Sequence, residues 1–452
     1  MMEPVKEKYK AYKEYKDTNV MWIRDLPTTW EISKIKYTTY VKGRIGWQGL
    51  RSNEFIDEGP FLVTGTDFKN GIIDWDSCYH ISEERFNEAP PIQLKEDDLL
   101  ITKDGTIGKV AIVKNKPDKA ILNSGVFVTR PLNNKYLTRF MYWVLNSKVF
   151  DSYITYTQTG STIKHLYQET YVNFSFPLPT KSEQQKIAIF LDRETAKLDN
   201  LVEKKERLIV LLKEKRQAVI SQAVTKGLDP KVPMKDSGIE WLGDIPQNWG
   251  TAKMKYISSM LRDGTHNPPP RTDKGYPLLS VRNIINNELK KLPDDSMISE
   301  KDYLLLKKSF DIRENDLLLA IVGATLGKVA IVKDIGPISI QRSLAIIRVR
   351  EEVCDYNYLF MFFRSRVFQS LLWQNVGFSA QPGIYLGTLA NFSIPIPPIE
   401  QQKSTAFYLT NYTQKINLLI SKIEQQITKI NEYRQSLISA AVTGKIDVRN
   451  EV

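Results

Sequence analysis

The chain has 452 residues, 42% of them hydrophobic and 25% charged, which allows two or three domains with ordinary globular cores. Its two cysteines exclude a disulfide framework, and it has no apolar run of the roughly 20 residues that a membrane-spanning helix needs. The net charge of +11 favours a polyanionic partner such as nucleic acid. A basic surface that serves only solubility is the alternative.

The beginning of the sequence gives an expectation about location. Residues 1–16 are rich in lysine, glutamate and tyrosine, and they lack the apolar core of a secretory signal. Few cysteines and no disulfide pattern suit a reducing compartment. We therefore expect a cytoplasmic protein without a membrane segment.

Four segments occur twice, in the same order and at a spacing of 218 or 219 residues. The first holds Trp22 and Trp30 around an Asp-Leu-Pro step, and the same pattern returns at Trp241 and Trp249. The paired segments are 15–30 with 234–249, 96–113 with 314–332, 173–186 with 391–403, and 216–221 with 434–439. A period of this length is too long for a solenoid repeat, so we expect two copies of one domain-sized unit.

The first part of each copy carries short β-type signals. Val110–Val113 and Val329–Val332 are apolar runs beside glycine turns, and Asp98–Ile101 and Asp316–Leu319 are expected to be their partner strands. The aromatic-rich segments that we expect to be helical are 136–150 and 358–373. This part of each copy therefore predicts a compact α+β globule.

A long helix is predicted to follow the Pro-x-Pro step of each copy. Ser182 and Gln185 resemble a capping box at the start of the first helix, and Glu183 aligns with Glu400 at the start of the second. Seam residues then alternate at spacings of four and three, as in a coiled coil. The seam positions are Leu198, Val202, Lys205, Ile209, Leu212, Arg216, Val219 and Ala223 in the first helix, and Ile416, Ile420, Ile423, Ile427, Ile430, Arg434, Leu437 and Ala441 in the second.

Two packing arrangements are compatible with these helices. Each helix can pack on its own globule, or the two helices can pack on each other, and we favour the second because a seam of this length needs a helical partner. Each helix would have about 40 residues and a length of about 60 Å. The pair would run antiparallel around a pseudo-twofold axis with one globule at each end. Arg216 and Arg434 interrupt the seams, and they either fix the register through acidic partners or extend outwards to solvent.

The ordered motifs resemble those of the specificity subunits of Type I restriction–modification enzymes. The resemblance rests on the Trp-x-x-Asp-(Ile/Leu)-Pro-x-x-Trp segments, the Gly-Lys-Val-Ala-Ile-Val hairpins, the Glu-Gln-Gln-Lys helix starts and the closing segment Ile438–Ile446, and it covers essentially the whole chain. It implies an α+β chain with two target-recognition domains joined by two long antiparallel coiled-coil helices. The implied parts are a first recognition domain at 1–180, a first spacer helix at 181–226, a linker and second recognition domain at 227–397, and a second spacer helix with a C-terminal tail at 398–452.

The resemblance also implies partners. Each domain would read one half of a bipartite asymmetric target in double-stranded DNA, and the helices would set the spacing and dock two methyltransferase subunits. Motor–nuclease subunits would join for restriction. S-adenosylmethionine, ATP and Mg²⁺ are expected on those partners and no cofactor on this chain, which we expect to be non-catalytic.

Three pairs of loops are candidates for DNA contact. Arginine, glutamine, asparagine and histidine supply groove-edge hydrogen bonds, and lysines beside the hairpins suit phosphates. Asp263–His266 resembles the Asp-Gly-Thr-His form of the family's first recognition loop, although a merely solvated basic loop is the alternative. The candidates in the first copy are Lys42, Arg44, Trp47, Gln48, Arg51, Thr66, Lys69, Lys103, Lys109, Lys164 and His165. Those in the second copy are Arg262, Thr265, His266, Asn267, Arg271, Arg282, Asn283, Lys328 and Gln381.

Motifs that would support catalysis are incomplete in the sequence. Gly323–Lys328 has three residues between its glycines and a valine after the lysine, so it departs from a P-loop. Asn267–Pro270 lacks the aromatic residue of an adenine methyltransferase motif, and the three histidines lie far apart. The alternative function is a self-contained modification or restriction enzyme with its own recognition domains. A general coiled-coil interaction protein would not explain two basic globules with divergent loops.

Overall fold

A computed structural model describes residues 5–44, 50–157, 165–377 and 382–452. The chain divides into two compact units, which we call unit 1 (Met1–Lys205 with Glu424–Val452) and unit 2 (Glu206–Ile423). The division cuts through both long helices, so each unit holds one globule and parts of both helices. Among the described residues, no helix is both long enough and apolar enough to cross a membrane.

Unit 1 is built on a mixed sheet of six strands. The strands are β1 (Tyr15–Asp17), β2 (Asp25–Pro27), β3 (Glu31–Lys34), β4 (Thr39–Gly43), β5 (Ile56–Val63), β6 (Phe68–Lys69), β7 (Ile72–Ile73), β8 (Tyr79–His80), β9 (Leu99–Thr102), β10 (Val110–Ile112), β11 (Ala120–Leu122), β12 (Val126–Pro131) and β13 (Ser175–Leu178). The helices are α1 (Val5–Lys8), α2 (Ile35–Thr38), α3 (Glu83–Asn87), α4 (Thr138–Leu145), α5 (Lys148–Thr157) and α6 (Gln168–Val172), followed by the long α7 (Lys181–Lys226). The large sheet has the order β4-β12-β9-β10-β7-β6, and a three-stranded sheet has the order β11-β5-β8.

Unit 2 repeats this topology. Its strands are β14 (Met234–Asp236), β15 (Asp244–Pro246), β16 (Gly250–Lys253), β17 (Ser258–Asp263), β18 (Tyr276–Leu279), β19 (Ile284–Ile285), β20 (Glu288–Leu289), β21 (Met297–Ile298), β22 (Leu317–Ala320), β23 (Val329–Ile331), β24 (Ser339–Ile340), β25 (Leu344–Val349) and β26 (Ser393–Ile396). Its helices are α8 (Met254–Ile257), α9 (Glu300–Ser309), α10 (Tyr356–Phe363), α11 (Arg366–Gln374) and α12 (Leu386–Ala390), followed by the long α13 (Ile399–Val442). The large sheet has the order β17-β25-β22-β23-β20-β19 and the small sheet β21-β18-β24, which confirms two copies of one α+β fold.

The apolar strand runs predicted from the sequence are buried on both faces of each large sheet. In unit 1, Leu99 and Ile101 enter the core beneath the helices, whereas Leu100 enters the core shared with the small sheet. Neighbouring side chains of a strand point to opposite faces, so a strand with two covered faces reads as a continuous apolar run. Leu318 and Leu319 divide between two cores in the same way in unit 2.

Each long helix begins at a motif that also anchors the globule. Trp30 Nε1 donates to Glu183 Oε1 at 3.2 Å, and in unit 2 Trp249 Nε1 donates to Gln401 Oε1 at 2.9 Å. Glu183 is therefore equivalent to Gln401, and its sequence alignment with Glu400 is wrong by one residue.

The predicted capping box at the start of α7 is also wrong. Glu183 N donates to Thr180 Oγ1 at 3.3 Å, and Thr180 N contacts Glu183 Oε2 at 3.4 Å. Thr180 is the residue just before the helix, whereas Ser182 already lies inside it. The cap therefore comes directly after Pro179, which follows β13, and lies two residues earlier than the pattern indicated.

The helices pair with each other within each unit. In unit 1, Arg434 Nε donates to Asp199 Oδ1 at 2.8 Å, and Lys205 Nζ donates to Gln426 Oε1 at 2.7 Å. Residue numbers rise along one helix as they fall along the other, so the pairing is antiparallel. In unit 2, Arg216 donates to Asn417. The acidic-partner interpretation thus holds for Arg434, whereas the partner of Arg216 is an uncharged amide.

Each globule also packs on both long helices, namely on the start of its own helix and on the end of the helix from the other copy of the repeat. In unit 1, Gln435 Nε2 on α13 donates to the Asn146 carbonyl at 2.9 Å, and Lys148 N donates to Ser439 Oγ at 3.0 Å. The equivalent bonds in unit 2 start from α7. Gln217 Nε2 donates to the Arg364 carbonyl at 2.6 Å, and Arg366 N donates to Ser221 Oγ at 3.0 Å. Helix–helix and helix–globule packing therefore coexist.

Candidate nucleic-acid interface

Several loops of unit 1 meet at one end of its large sheet. Lys109 Nζ donates to the Gly65 carbonyl at 3.4 Å, and Lys103 N donates to the Gly125 carbonyl at 2.9 Å. Leu166 N donates to the Lys103 carbonyl at 2.8 Å, which places the preceding histidine beside the same hairpin. We call the described residues of loops 44–51, 64–69, 102–109 and 122–126, together with His165, the unit 1 recognition end.

Most described candidates in unit 1 present polar atoms to solvent. Lys42, Arg51, Thr66, Lys69 and Lys109 are exposed, whereas Lys103 and His165 are half-buried. Lys69 is paired with Asp74, His165 contacts Asp104, and the Lys103 ammonium lies 5.1 Å from the centre of the Phe127 ring. Trp47, Gln48 and Lys164 in this unit, and Gln381 in unit 2, lie outside the described residues.

The prediction that Arg44 contacts DNA is wrong, because its side chain is buried. Its exposure is only 3%, and its Nε donates to the Leu122 carbonyl at 3.0 Å. Burial lowers the pKa of its guanidinium to about 10. Arg44 therefore fixes the start of its loop against the strand end of β11 instead of reaching the solvent.

The equivalent loops of unit 2 meet around Thr265. Thr265 N donates to the Ile340 carbonyl at 3.0 Å, and Arg342 N donates to the Thr265 carbonyl at 3.1 Å. A Cβ on Gly264 would lie 2.3 Å from the Ile340 carbonyl oxygen, so this close approach requires glycine. We call the loops 263–271, 280–283, 321–328 and 341–343 the unit 2 recognition end.

Described candidates in unit 2 are mostly accessible as well. Arg262, His266, Asn267, Arg271, Arg282 and Lys328 are exposed, and Thr265 is half-buried. His266 Nε2 lies 2.5 Å from Asp263 Oδ2, and Arg262 Nη1 donates to the Ser309 carbonyl at 2.6 Å. Arg282 pairs with Asp294 at 2.6 Å, and this hydrogen bond raises the pKa of the guanidinium.

The prediction that Asn283 contacts DNA is also wrong, because its side chain is buried. It is 0% exposed, its Oδ1 accepts a bond from Ser280 N at 2.9 Å, and its Nδ2 donates to Asp295 Oδ1 at 2.8 Å. Asp67 is the equivalent residue in unit 1, where its Oδ2 accepts from Thr64 N at 2.7 Å. Both residues hold a tight turn together from the inside, so neither presents its side chain to a ligand.

Arg342 is an exposed cation of the unit 2 recognition end that the sequence motifs did not identify as a candidate DNA contact. It is exposed, and it lies in the loop between β24 and β25 directly against the Thr265 backbone. Its guanidinium makes no hydrogen bond or ion pair with any described residue. The available signal was the repeat alignment, which places Arg342 opposite Ser124 in a loop of equal length.

The described ranges contain no candidate metal-binding site. No group of three or more histidine, cysteine, aspartate or glutamate side chains lies close enough there to hold an ion. The two recognition ends are instead sets of exposed cationic and hydrogen-bonding side chains on one repeated framework. The framework is the same in both units, and the side chains differ.

The Type I restriction modification DNA specificity domain family matches residues 28–209 and 261–429. The chain is 25% identical over 448 residues to the Type I restriction enzyme MjaVIII specificity subunit of Methanocaldococcus jannaschii, with 96% of this chain and 98% of that protein covered. It is 28% identical over 357 residues to the EcoBI specificity subunit of Escherichia coli, with 77% and 74% covered.

Solved structures show the same fold at lower identity. A chain from a study of complex assembly and conformational transition of the type I R-M system gives a TM-score of 0.72 at 15% identity, covering 92% of this chain and 98% of that one. The HsdS subunit from Thermoanaerobacter tengcongensis gives 0.53 at 15% identity, covering 93% and 98%. Since the family's two matched segments span well over half of the sequence, the chain belongs to the Type I restriction modification DNA specificity family.

Proposed function

We propose that this chain is the DNA-binding specificity subunit of a Type I restriction–modification complex, and that each unit reads one half of a bipartite asymmetric target. The observation that carries the proposal is the repeated framework with different side chains at its two recognition ends. Lys103 and Ser124 in unit 1 take the places of Ile321 and Arg342 in unit 2, and His266 and Asn267 stand only in unit 2. Since base edges are distinguished by the pattern of donors and acceptors, different side chains imply different half-sites.

The chain itself supplies recognition and no chemistry in this proposal. Methyl transfer with S-adenosylmethionine, and DNA translocation or cleavage with ATP and Mg²⁺, belong to methyltransferase and motor–nuclease subunits. The paired helices set the number of unread base pairs between the half-sites. The complex acts on DNA in the cytoplasm.

Genome-wide methylation mapping tests the function directly. Cells that contain the gene together with its methyltransferase subunit are expected to carry a two-part methylated motif, and deletion of the gene should remove it. The deletion is complemented with the intact gene as the control. A motif that persists without the gene would refute the proposal.

Exposed apolar side chains on the long helices support the docking of methyltransferase subunits. In unit 2, Leu208 and Leu211 on α7 are 45% and 49% exposed, and Leu418 and Leu419 on α13 are 57% and 48% exposed. Residues three apart on a helix share a face, so Leu208 and Leu211 form one apolar surface. A pair of exposed leucines on one helix face suits contact with another protein chain.

Changing Leu208→Glu together with Leu211→Glu is expected to weaken methyltransferase binding at least tenfold, since charges would enter an apolar contact. Light scattering of the co-purified complex measures the number of bound subunits. Val210→Glu is the control, because Val210 is 52% exposed on another face of the same helix. An unchanged complex with the double variant would exclude this surface.

A further inference from the structure

Unit 2 contains an open groove between α7 and the start of α11. Its volume is about 1160 Å³, and its lining includes the cations Lys213, Arg216, Lys328, Arg364 and Arg366. Glu214 is the single acidic residue in the lining. No described carboxylate pairs with any of the five cations, so the groove has an unbalanced positive charge.

Two of these cations lie close to each other without a counter-charge. Arg216 donates to the uncharged Asn417, and Arg364 Nη1 contacts Met361 Sδ at 3.5 Å. Burial, and next the neighbouring charge of Arg216, lower the pKa of Arg364 to about 10. Like charges in a partly desolvated site repel each other, so an anion in the groove would relieve this cost.

The repeat provides an internal comparison for these residues. In unit 1 the place of Arg216 is taken by Arg434, which pairs with the Asp199 carboxylate at 2.8 Å. Asn146 stands in unit 1 where unit 2 has Arg364. The backbone contacts of the two positions are the same, because Gln435 and Gln217 donate to the carbonyls of residues 146 and 364 respectively. Unit 2 therefore carries a charge at position 364 that unit 1 lacks at position 146, although both residues accept the same backbone hydrogen bond.

We propose that this groove, which we call the unit 2 groove, binds the phosphate backbone of duplex DNA beside the half-site that unit 2 reads. The inference rests on the proposed DNA-reading function and adds a contact outside the recognition end. Lys328 belongs both to the hairpin loop of the recognition end and to the lining of the groove, so one polyanion can continue from one to the other. The groove takes no part in methyl transfer itself, and it influences the reaction only by strengthening the binding of DNA.

Charge balance favours DNA over an acidic protein segment. Five cations against one glutamate need several anionic groups in a row, and one or two carboxylates of a protein loop would leave most of the charge unbalanced. A DNA strand supplies one negative charge per nucleotide. An acidic segment of a partner protein is the competing occupant.

The test converts the charges of unit 2 into those that unit 1 already carries. Asn417→Asp gives Arg216 the carboxylate partner of Arg434, and Arg364→Asn installs the residue found at position 146. Binding of the full-length chain to a labelled nonspecific duplex is measured by fluorescence anisotropy between about 50 and 200 mM salt. The logarithm of the binding constant falls linearly with the logarithm of the salt concentration, and we call the steepness of this fall the salt slope. Loss of two phosphate contacts lowers the salt slope by about 1.8. The unchanged chain should therefore lose about tenfold more affinity than the variant between these two salt concentrations.

Two further variants complete the experiment. Lys253→Gln with Lys255→Gln removes the same charge from exposed positions just before β17, at the far end of that strand from Thr265, and it should leave the slope unchanged. Lys213→Gln with Arg366→Gln changes exposed groove residues that lie outside the recognition end, and it should reproduce the reduced slope even if the first variant folds poorly.

The possible outcomes separate the two proposals. Salt-independent or absent binding by the unchanged chain would overturn the proposed function. Normal binding with equal slopes in all variants would overturn only the groove. Equal slopes, combined with loss of the methyltransferase subunit when the same variants are co-purified with it, would assign the groove to an acidic protein segment instead of DNA.

Discussion

Replacing Asp316→Asn is expected to destabilise unit 2 by about 3 kcal/mol, because it leaves a partly buried arginine without its counter-charge. Asp316 is 1% exposed, and its two oxygens accept bonds from Arg348 Nε and Nη2, each at 2.8 Å. Its Oδ2 also accepts from Arg313 N at 2.7 Å. The Arg348 side chain keeps 20% of its exposure, so water relieves part of the cost and the effect lies at the lower end of the range for buried pairs.

Hydrogen exchange followed by mass spectrometry measures this effect in each unit separately. Amides of β22 and β25 should exchange roughly a hundredfold faster in the variant, and those of β9 and β12 should not change. Asp98→Asn is the mirror variant, since Asp98 is 3% exposed and Arg130 Nε binds it at 2.6 Å. It should produce the opposite pattern. Faster exchange in both units with either variant would show that the units do not unfold independently.

The seam of the long helices illustrates what the sequence predicts well. Its spacing of four and three is a local regularity, and Ile416, Ile420 and Leu437 are all buried in the structure. The first helix is less regular, and Val202 and Leu212 are only half-buried. A heptad pattern can be read from the sequence alone because it places one apolar stripe on a helix, and that stripe predicts a helical partner.

Loop residues were harder to predict because a loop gives no periodic signal for direction. Residue type predicts that Arg44 and Asn283 face DNA, but both point inward to satisfy backbone groups of a neighbouring strand or turn. A buried polar group must find such partners, and only the fold shows which loop residue supplies them. The polar composition of the loops therefore predicts where the recognition ends lie. Only the structure distinguishes the buried loop residues that hold these ends together from the exposed residues that can contact DNA.

Arg342 was missed for a related reason. The strand before it, β24, has only two residues, so no strand pattern marks the loop that follows. Its place beside Thr265 depends on the parallel bridge between Thr265 and Gln341, which joins residues about 76 apart in the sequence. Long-range pairing of this kind has no local signature in a single sequence.

Changing Arg342→Ala is expected to weaken recognition of the half-site read by unit 2 by roughly 10- to 100-fold, which corresponds to about 1–3 kcal/mol for a side chain that binds a base edge. Arg342 is exposed in the loop 341–343, beside the loop that carries Thr265, and its planar group offers five donors without a described partner. An arginine of this kind suits guanine, whose O6 and N7 accept two bonds at once. Ser124, at the aligned place in unit 1, supplies a single hydroxyl and would read a different base.

Methylation mapping in cells that carry the variant distinguishes base reading from general affinity. If Arg342 reads a base, the methylated sites that remain should be relaxed at one position of one half-site and unchanged in the other half. Ser124→Ala is the matched variant, and its effect should fall on the other half-site. If Arg342 binds only phosphate, methylation would fall at all sites without a change of motif, because phosphate contacts carry affinity and no sequence information. A change in both half-sites would contradict the assignment of one half-site to each unit, since residues of one unit would then influence the bases read by the other.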